Sequence, residues 1–314
     1  MIKVQNYING EFSTTKDTID NMNPATGEII AMVPKSGSKE VSNAVDAANI
    51  ARISWSELSS EKRADWLDKI ADALESKSDD IASLESLDTG KPITLAKAVD
   101  ASRSVANFRF FAQFSRDFSV ENFEMDDAMN HVVLKPVGIA GLITPWNLPL
   151  YLLSWKIAPA IVMGNTVVAK PSELTPLTAN LLSQTLDEIG FPAGVVNILH
   201  GLGSEAGQAI VEDPKINLIS FTGGTLTGKK VAETAAPMFK KLSLELGGKN
   251  ATIILDDANL DSSIPEIARS AFMNQGQVCL CGSRILVSDK IWDEFVDKFV
   301  KHVKNMKVGD PSSK

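Results

Sequence analysis

Ile139-Ala140-Gly141-Leu142-Ile143-Thr144 is a short apolar run that stops at a proline, and runs of the same kind return at residues 166–170, 195–199, 216–221 and 241–246. Between them lie stretches with helical spacing: one after Leu150, one at 175–189, one near 203–211 and one at 226–235. Strand-length apolar runs alternating with helices are the pattern of βαβ units, in which a parallel sheet carries helices on both faces. The expectation from residue 139 onward is an α/β fold built on a parallel sheet.

Upstream of this block, residues 5–12 read as a hairpin turning at Asn9-Gly10, the commonest short hairpin signal. Asn23-Pro24-Ala25-Thr26-Gly27 is a second turn and leads into a strand at 28–33. Helical patterns follow at 38–53, 60–76 and 78–87, the second with Ser60 as its expected cap and Glu61 in its first turn. Trp66, Leu67, Ile70, Ala73 and Leu74 share one face of that helix. Gly90 and Pro92 stop the third helix, and a longer one at 93–114 carries Val99, Val105, Phe108 and Phe111 or Ala112 toward a core. Residues 120–123 and 131–137 are strand-like around an acidic turn at Asp126-Asp127. A hairpin inserted between helical layers reads as an excursion to another subunit or domain. Downstream, composition shifts at Gly247-Gly248-Lys249, where a boundary is expected. A second alternation follows: strand 251–255, helix 264–273, strand 285–287 and helix 292–303. A sheet of about two strands does not cover itself, so this unit is expected to be completed by another chain or to come from a truncated product.

Composition narrows the function classes. The 314 residues are 44% hydrophobic and 22% charged, ordinary globular usage, and the formal charge of −8 offers no basic field for nucleic acid or anionic lipid. The most apolar run, 148–163, is broken by Pro149, Lys156 and Pro159 and is too short to span a bilayer. The first residues lack the apolar core of a signal peptide. Two cysteines make no disulfide framework, so a soluble chain in a reducing, cytoplasmic-type compartment is expected.

Both cysteines, Cys279 and Cys281, lie in Phe272-Met273-Asn274-Gln275-Gly276-Gln277-Val278-Cys279-Leu280-Cys281-Gly282-Ser283-Arg284. A thiol in a glycine-flanked turn is a candidate nucleophile, because small neighbours let a substrate carbon reach the sulfur; the alternative is a pair of buried small hydrophobes. Phe221-Thr222-Gly223-Gly224-Thr225-Leu226-Thr227-Gly228 follows one strand and opens a helix, which suits a phosphate site or a plain tight turn. Its spacing is not that of the standard dinucleotide fingerprint. Lys170-Pro171-Ser172-Glu173 stands at another strand end, either as donors and acceptors for ribose hydroxyls or as a solvated charged turn. Thr144-Pro145-Trp146-Asn147-Leu148-Pro149 is stiffened by its prolines, and Asn147 is either a fixed donor to a developing oxyanion or a cap for the next helix. Glu245, between Leu244 and Leu246, is a general base raised by an apolar pocket or a salt-bridged strand carboxylate. The three histidines are scattered and Cys-Leu-Cys stands alone, so no metal site is expected.

In this order, Thr-Pro-Trp-Asn (144–147), Lys-Pro-Ser-Glu (170–173), Phe-Thr-Gly-Gly (221–224), Leu-Glu-Leu-Gly-Gly-Lys (244–249) and Gly-Gln-Val-Cys (276–279) resemble the NAD(P)-dependent aldehyde dehydrogenase superfamily along the whole chain. Residues 103–111, 146–156 and 279–281 look most like its 2-aminomuconic 6-semialdehyde dehydrogenase branch.

The resemblance implies a Rossmann-type NAD-binding domain from 1–117 and 138–246, an oligomerisation hairpin at 118–137, and at 247–314 the N-terminal part of a second, catalytic α/β domain. It implies Cys279 as nucleophile, Asn147 as oxyanion donor and Glu245 as base. For NAD it implies Thr144, Pro145, Trp146, Lys170, Ser172, Glu173, Gly223, Gly224, Gly228, Leu246 and Gly247, with Glu173 favouring NAD over NADP. Many members carry serine at Gly224, which puts one phosphate contact in doubt. Arg103 matches a position that holds a substrate carboxylate. The partners implied are a small aldehyde and further copies of the chain, as a homodimer or homotetramer. Family members continue past the equivalent of Lys314, so the expectation is an N-terminal portion of such an enzyme. The alternatives are an enzyme for hydroxymuconic semialdehyde or betaine aldehyde, which would share every catalytic residue, and a non-catalytic NAD-binding fragment.

Overall fold

The computed structural model describes residues 1–313. The chain opens with β1 (Ile2–Lys3), β2 (Asn6–Ile8), β3 (Glu11–Ser13), β4 (Thr18–Met22) and β5 (Ile29–Pro34). The β2–β3 hairpin turns at Asn9 and Gly10, both with positive φ (55° and 77°), the geometry that matches the twist of its strands. Helices α1 (Ser38–Glu57), α2 (Ser60–Ser76) and α3 (Ser78–Thr89) follow. Ser59, not Ser60, caps α2, accepting the Lys62 N–H; the expected cap lies one residue inside the helix. Gly90 ends α3 in the left-handed region, as its position before Lys91-Pro92 requires.

The expected helix at 93–114 is a composite. It begins as α4 (Ile93–Leu95), widens into a π turn at Ala96–Ala101 and continues as α5 (Ser102–Asp117). Beyond it, the hairpin strands are β6 (Asn122–Glu124) and β7 (Met129–His131), shorter than expected. The ladder stops at His131, so the β-branched run that follows it is exposed chain rather than strand.

The alternation expected from residue 139 is present as β8 (Ile139–Ile143), α6 (Pro149–Val162), β9 (Thr166–Lys170), α7 (Leu177–Glu188) and β10 (Val196–Ile198). It continues through a π turn into α8 (Gln208–Glu212), β11 (Ile216–Gly223), α9 (Thr225–Ala235) and β12 (Lys241–Leu246). Strands β8 to β12 are parallel in a seven-stranded sheet ordered β12-β11-β8-β9-β10-β2-β3, the N-terminal hairpin joining antiparallel through Tyr7 and Ile198. One face packs against α2, α5, α6 and α7 through residues such as Leu67, Phe108, Leu153 and Leu182. The other packs against α1, α8 and α9 through Val41, Ile210 and Val231. Cover on both faces explains why β8 and β9 are apolar without alternation.

Chain order runs from β8 outward in two directions, to β9 and β10 on one side and to β11 and β12 on the other. Such a switch point leaves a crevice at the carboxyl ends of the strands. Residues 144–149, 170–173, 223–228 and 245–248 all follow those ends.

The last unit comprises β13 (Ala251–Ile254), α10 (Leu260–Phe272), β14 (Arg284–Val287) and α11 (Trp292–Lys304). Asn259 caps α10 by accepting the Ser262 N–H, which starts the helix a turn earlier than expected. β13 and β14 form a parallel pair whose inner face shares a small core with Leu260, Ile264, Ile267 and Phe295. Ile253, Leu255 and Leu286 on its outer side are exposed. No helix among the described residues is long and apolar enough to cross a membrane.

Candidate active site

Cys279 is exposed and Cys281 is buried, and neither is in a disulfide. Of the two thiols, only Cys279 is open to a substrate carbon. The turn that presents Cys279 is unusual backbone: Asn274, Gln275 and Gly276 are all left-handed, with φ of 52°, 56° and 73°. Left-handed non-glycine residues are disfavoured, so something must hold them. The side chains do so. Asn274 Nδ2 donates to the Asn147 carbonyl at 3.0 Å, and Gln275 Nε2 donates to the Gly90 carbonyl at 2.9 Å.

Asn147 reaches back. Its Nδ2 donates to the Gln277 carbonyl at 2.7 Å, two residues before Cys279, while its Oδ1 is buried without a hydrogen-bond partner among the described residues. It does not cap α6, whose N-cap residue Leu148 offers no side-chain bond, so the capping alternative fails. On the far side of the turn, Asn250 Nδ2 donates to the Cys279 carbonyl at 2.8 Å, and Gly248 lies against the same carbonyl. Asn147 and the chain that follows Glu245 are thus drawn to the Cys279 turn, across 130 and 29 residues respectively.

Glu245 differs from expectation. Side chains alternate along β12, so Leu244 and Leu246 turn to the core while Glu245 faces the other way and is exposed, outside any apolar pocket. On that face lies Lys156 of α6, which donates to Ser220 Oγ at 2.7 Å. Burial lowers the Lys156 ammonium to about 8, with the charge of Glu245 pulling it back up.

The nucleotide-type residues are spread along the crevice. Lys170 is buried at the end of β9 and donates to the Pro171 and Gly201 carbonyls and to Glu173 Oε2, at 2.9, 2.9 and 3.0 Å. Desolvation lowers its ammonium and the Glu173 charge opposes that. Its partners make it an anchored group rather than a solvated turn. Ser172 Oγ accepts the Leu174 N–H. Thr144 is buried with its hydroxyl unpartnered among the described residues, while Pro145 is half-buried and Trp146 exposed.

Gly223 ends β11 and Gly224 precedes α9 with no side-chain cap, so that helix start has open N–H groups. A Cβ on Gly224 would meet nothing within 4 Å. Gly228 has a packing reason instead: a Cβ there would fall 2.4 Å from the side chain of Leu246, so glycine lets α9 close onto β12. Gly247 is exposed beside Thr225. These open helix-terminal donors and the unpartnered Thr144 hydroxyl fit a dinucleotide lying across the strand ends. Arg103, exposed on α5, has no ion pair among the described residues.

Several groups that build this site carried no signal in the sequence. Lys91, Glu85, Asp100, Asn274 and Asn250 were not distinguishable from ordinary polar residues, because the bonds that tie this group to Asn147, Leu150 and Cys279 cross 29 to 127 positions. Only Asp-Thr-Gly-Lys-Pro (88–92), a lysine locked between a helix-stopping glycine and a proline, held a hint.

An open parallel sheet with a cysteine turn docked beside its switch point is the class of molecule this geometry defines. Residues 12–314 match the model of the aldehyde dehydrogenase family, and the chain belongs to that family. It is 50% identical over 314 residues to the human 2-aminomuconic semialdehyde dehydrogenase, a match that takes in 99% of this chain and 64% of that protein. It is 43% identical to the 2-hydroxymuconic semialdehyde dehydrogenase of Pseudomonas sp. strain CF600, over 99% of this chain and 66% of that one. The NAD⁺ complex of an aldehyde dehydrogenase from Bacillus cereus superposes with a TM-score of 0.96 at 38% identity, covering 99% of this chain and 65% of that one. The chain thus spans about two thirds of the length of the relatives it matches.

Proposed function

We propose that the protein oxidises an aldehyde to a carboxylic acid with NAD, and that the aldehyde is a semialdehyde bearing a carboxylate. The observation that carries the reading is the convergence on the Cys279 turn: Asn147 Nδ2 lies 2.7 Å from the Gln277 carbonyl, and Asn250, five residues beyond Glu245, donates to the Cys279 carbonyl. The Cys279 thiolate adds to the aldehyde carbon, and the carbonyl pair moves to oxygen. That oxyanion is held by the Asn147 amide, turned from Gln277, and by the Cys279 N–H. Bound NAD supplies the acceptor for the hydride that leaves this carbon, so that a thioester remains on Cys279. Glu245 takes a proton from water, the water oxygen bonds to the thioester carbon, and the Cys279 thiolate departs. The residues that would hold NAD are Thr144 to Trp146, Lys170, Ser172, Glu173 and the open N-terminus of α9 after Gly223-Gly224.

In this reading residues 1–117 and 138–246 form the nucleotide domain, and 247–314 contribute the thiol. Residues 118–137 join copies of the chain, a role supported by the exposed Phe123, Met125, Val133 and Leu134. Arg103 receives the substrate carboxylate, supported by its exposure and its lack of an ion pair among the described residues.

Cys279→Ala in the full-length protein is expected to abolish NADH formation while NAD binding, followed by fluorescence, persists; an active variant would sink the assignment. Arg103→Ala is expected to raise KM for a carboxylate-bearing semialdehyde far more than for a neutral aldehyde, and equal effects on both would remove Arg103 from the site.

A further inference from the structure

We propose that Lys91 is a positioning residue for the reaction, holding the main chain of Asn147 so that its amide meets the developing oxyanion. The proposal rests on the oxyanion role given to Asn147 above. Lys91 is completely buried, and its main chain is fixed between left-handed Gly90 and Pro92. Its ammonium has three N–H groups. It donates to Asp100 Oδ2 at 2.8 Å and to the Asn147 carbonyl at 3.2 Å, and it faces Glu85 Oε2 at 3.7 Å.

Glu85 completes the clamp. Its Oε1 accepts the Leu150 N–H at 3.0 Å and the Thr178 hydroxyl at 2.8 Å. One buried cluster therefore grips the short segment at both ends, by the carbonyl of Asn147 and the amide of Leu150. The same carbonyl takes the Asn274 amide, and the Gly90 carbonyl beside Lys91 takes Gln275. Lys91 thus sits where the Asn147 loop and the nucleophile turn are tied to a common floor.

Stability alone gives no reason for the arrangement. Burying an ammonium and its carboxylates costs several kcal/mol of desolvation, and well-packed apolar residues in their place are commonly neutral or stabilising. What an apolar floor would lack is its own donor to the Asn147 carbonyl, leaving only the Asn274 amide of the nucleophile turn to hold it. A displacement of about 1 Å in a reacting group can cost about a hundredfold in rate. The geometry therefore assigns Lys91 to placement of a side chain it does not itself touch.

The test is a double-mutant cycle on the full-length protein, reading single-turnover NADH formation per molecule that binds NAD. That readout discounts molecules lost to unfolding, which a merely structural role would produce. Lys91→Met is expected to slow the step by about 10- to 100-fold, with NAD affinity within about threefold. In an Asn147→Ala background, the same change is expected to cost less than about threefold, because the amide it serves is gone. If Lys91→Met alone fails to fold, Lys91→Met with Asp100→Asn leaves no charge unpaired at that contact and is read the same way. Equal losses in both backgrounds, or no loss in either, would overturn the proposal while leaving the oxyanion reading in place. A silent Asn147→Ala would overturn both.

Discussion

The Asn147 loop and the Cys279 turn touch at 2.7 Å, yet they are built by opposite means. The first lies on a buried floor of charge. Lys91, Glu85 and Asp100 are fully enclosed, and desolvation, helped by the neighbouring Asp100 charge, raises the Glu85 carboxyl. Desolvation raises the Asp100 carboxyl as well, with the Lys91 ammonium opposing the rise in both. The second presents Cys279 at the surface on left-handed backbone, kept there by the Asn274 and Gln275 amides hooked over the carbonyls of Asn147 and Gly90. A group that must stay still is locked by charges that cannot reach water. A group that must open to substrate is held by hydrogen bonds worth about 0.5–1.5 kcal/mol each, against a left-handed cost of similar size.

This contrast orders the expected effects. Lys91→Met strands Asp100 in the interior and is expected to cost about 3–5 kcal/mol in chemical denaturation. Asn274→Ala removes one hook and a residue that tolerates left-handed backbone, and is expected to cost about 1–2 kcal/mol. Amide exchange should then quicken at residues 274–279 and stay slow at 147–150. A larger loss for Asn274→Ala than for Lys91→Met would break the comparison.

The floor should also leave a pH signature. Asp88, near the same helix end, accepts from Asn21 and from the Leu177 N–H, but burial prevails and raises it from 3.8 to about 7. The folded state therefore holds this proton over a range where the unfolded chain has lost it, so its contribution is full below pH 3.8 and lost as pH rises through about 7. Asp88→Asn should flatten that decline. Lys156, beside Glu245, has the opposite sign: lowered from 10.5 to about 8, it makes stability rise with pH across that window. Lys156→Met should remove the rise, the smallest of these effects; a slope unchanged in that variant would assign the titration elsewhere.

Much of this was legible in the sequence. Apolar runs at 139–144 and 166–170 announce a sheet covered on both faces because their burial leaves no polar alternation, and Asn9-Gly10 announces its hairpin because few residues accept that geometry. The thiol turn was legible from its glycines. The strand of Glu245 was also read correctly, but not the direction of its side chain, since alternation places Glu245 opposite the leucines that flank it. The hairpin strands were overread because β-branched residues such as Val132 and Val133 extend a pattern that has no ladder partner beyond His131. Of the buried floor only Gly90-Lys91-Pro92 left a trace, and nothing in it named the partners. The bond from Lys91 to Asn147 spans 56 positions and the one from Asn274 spans 127, and no local pattern marks either.

The central claim is that Cys279, and not its buried neighbour, carries the substrate during turnover. Glu245→Gln should slow release of the acyl group more than its formation. Full-length protein carrying that change, quenched after mixing with aldehyde and NAD, should therefore show the acyl mass on Cys279 in peptide fragmentation spectra. An adduct on Cys281, or steady NADH formation with no adduct on either thiol, would contradict the account.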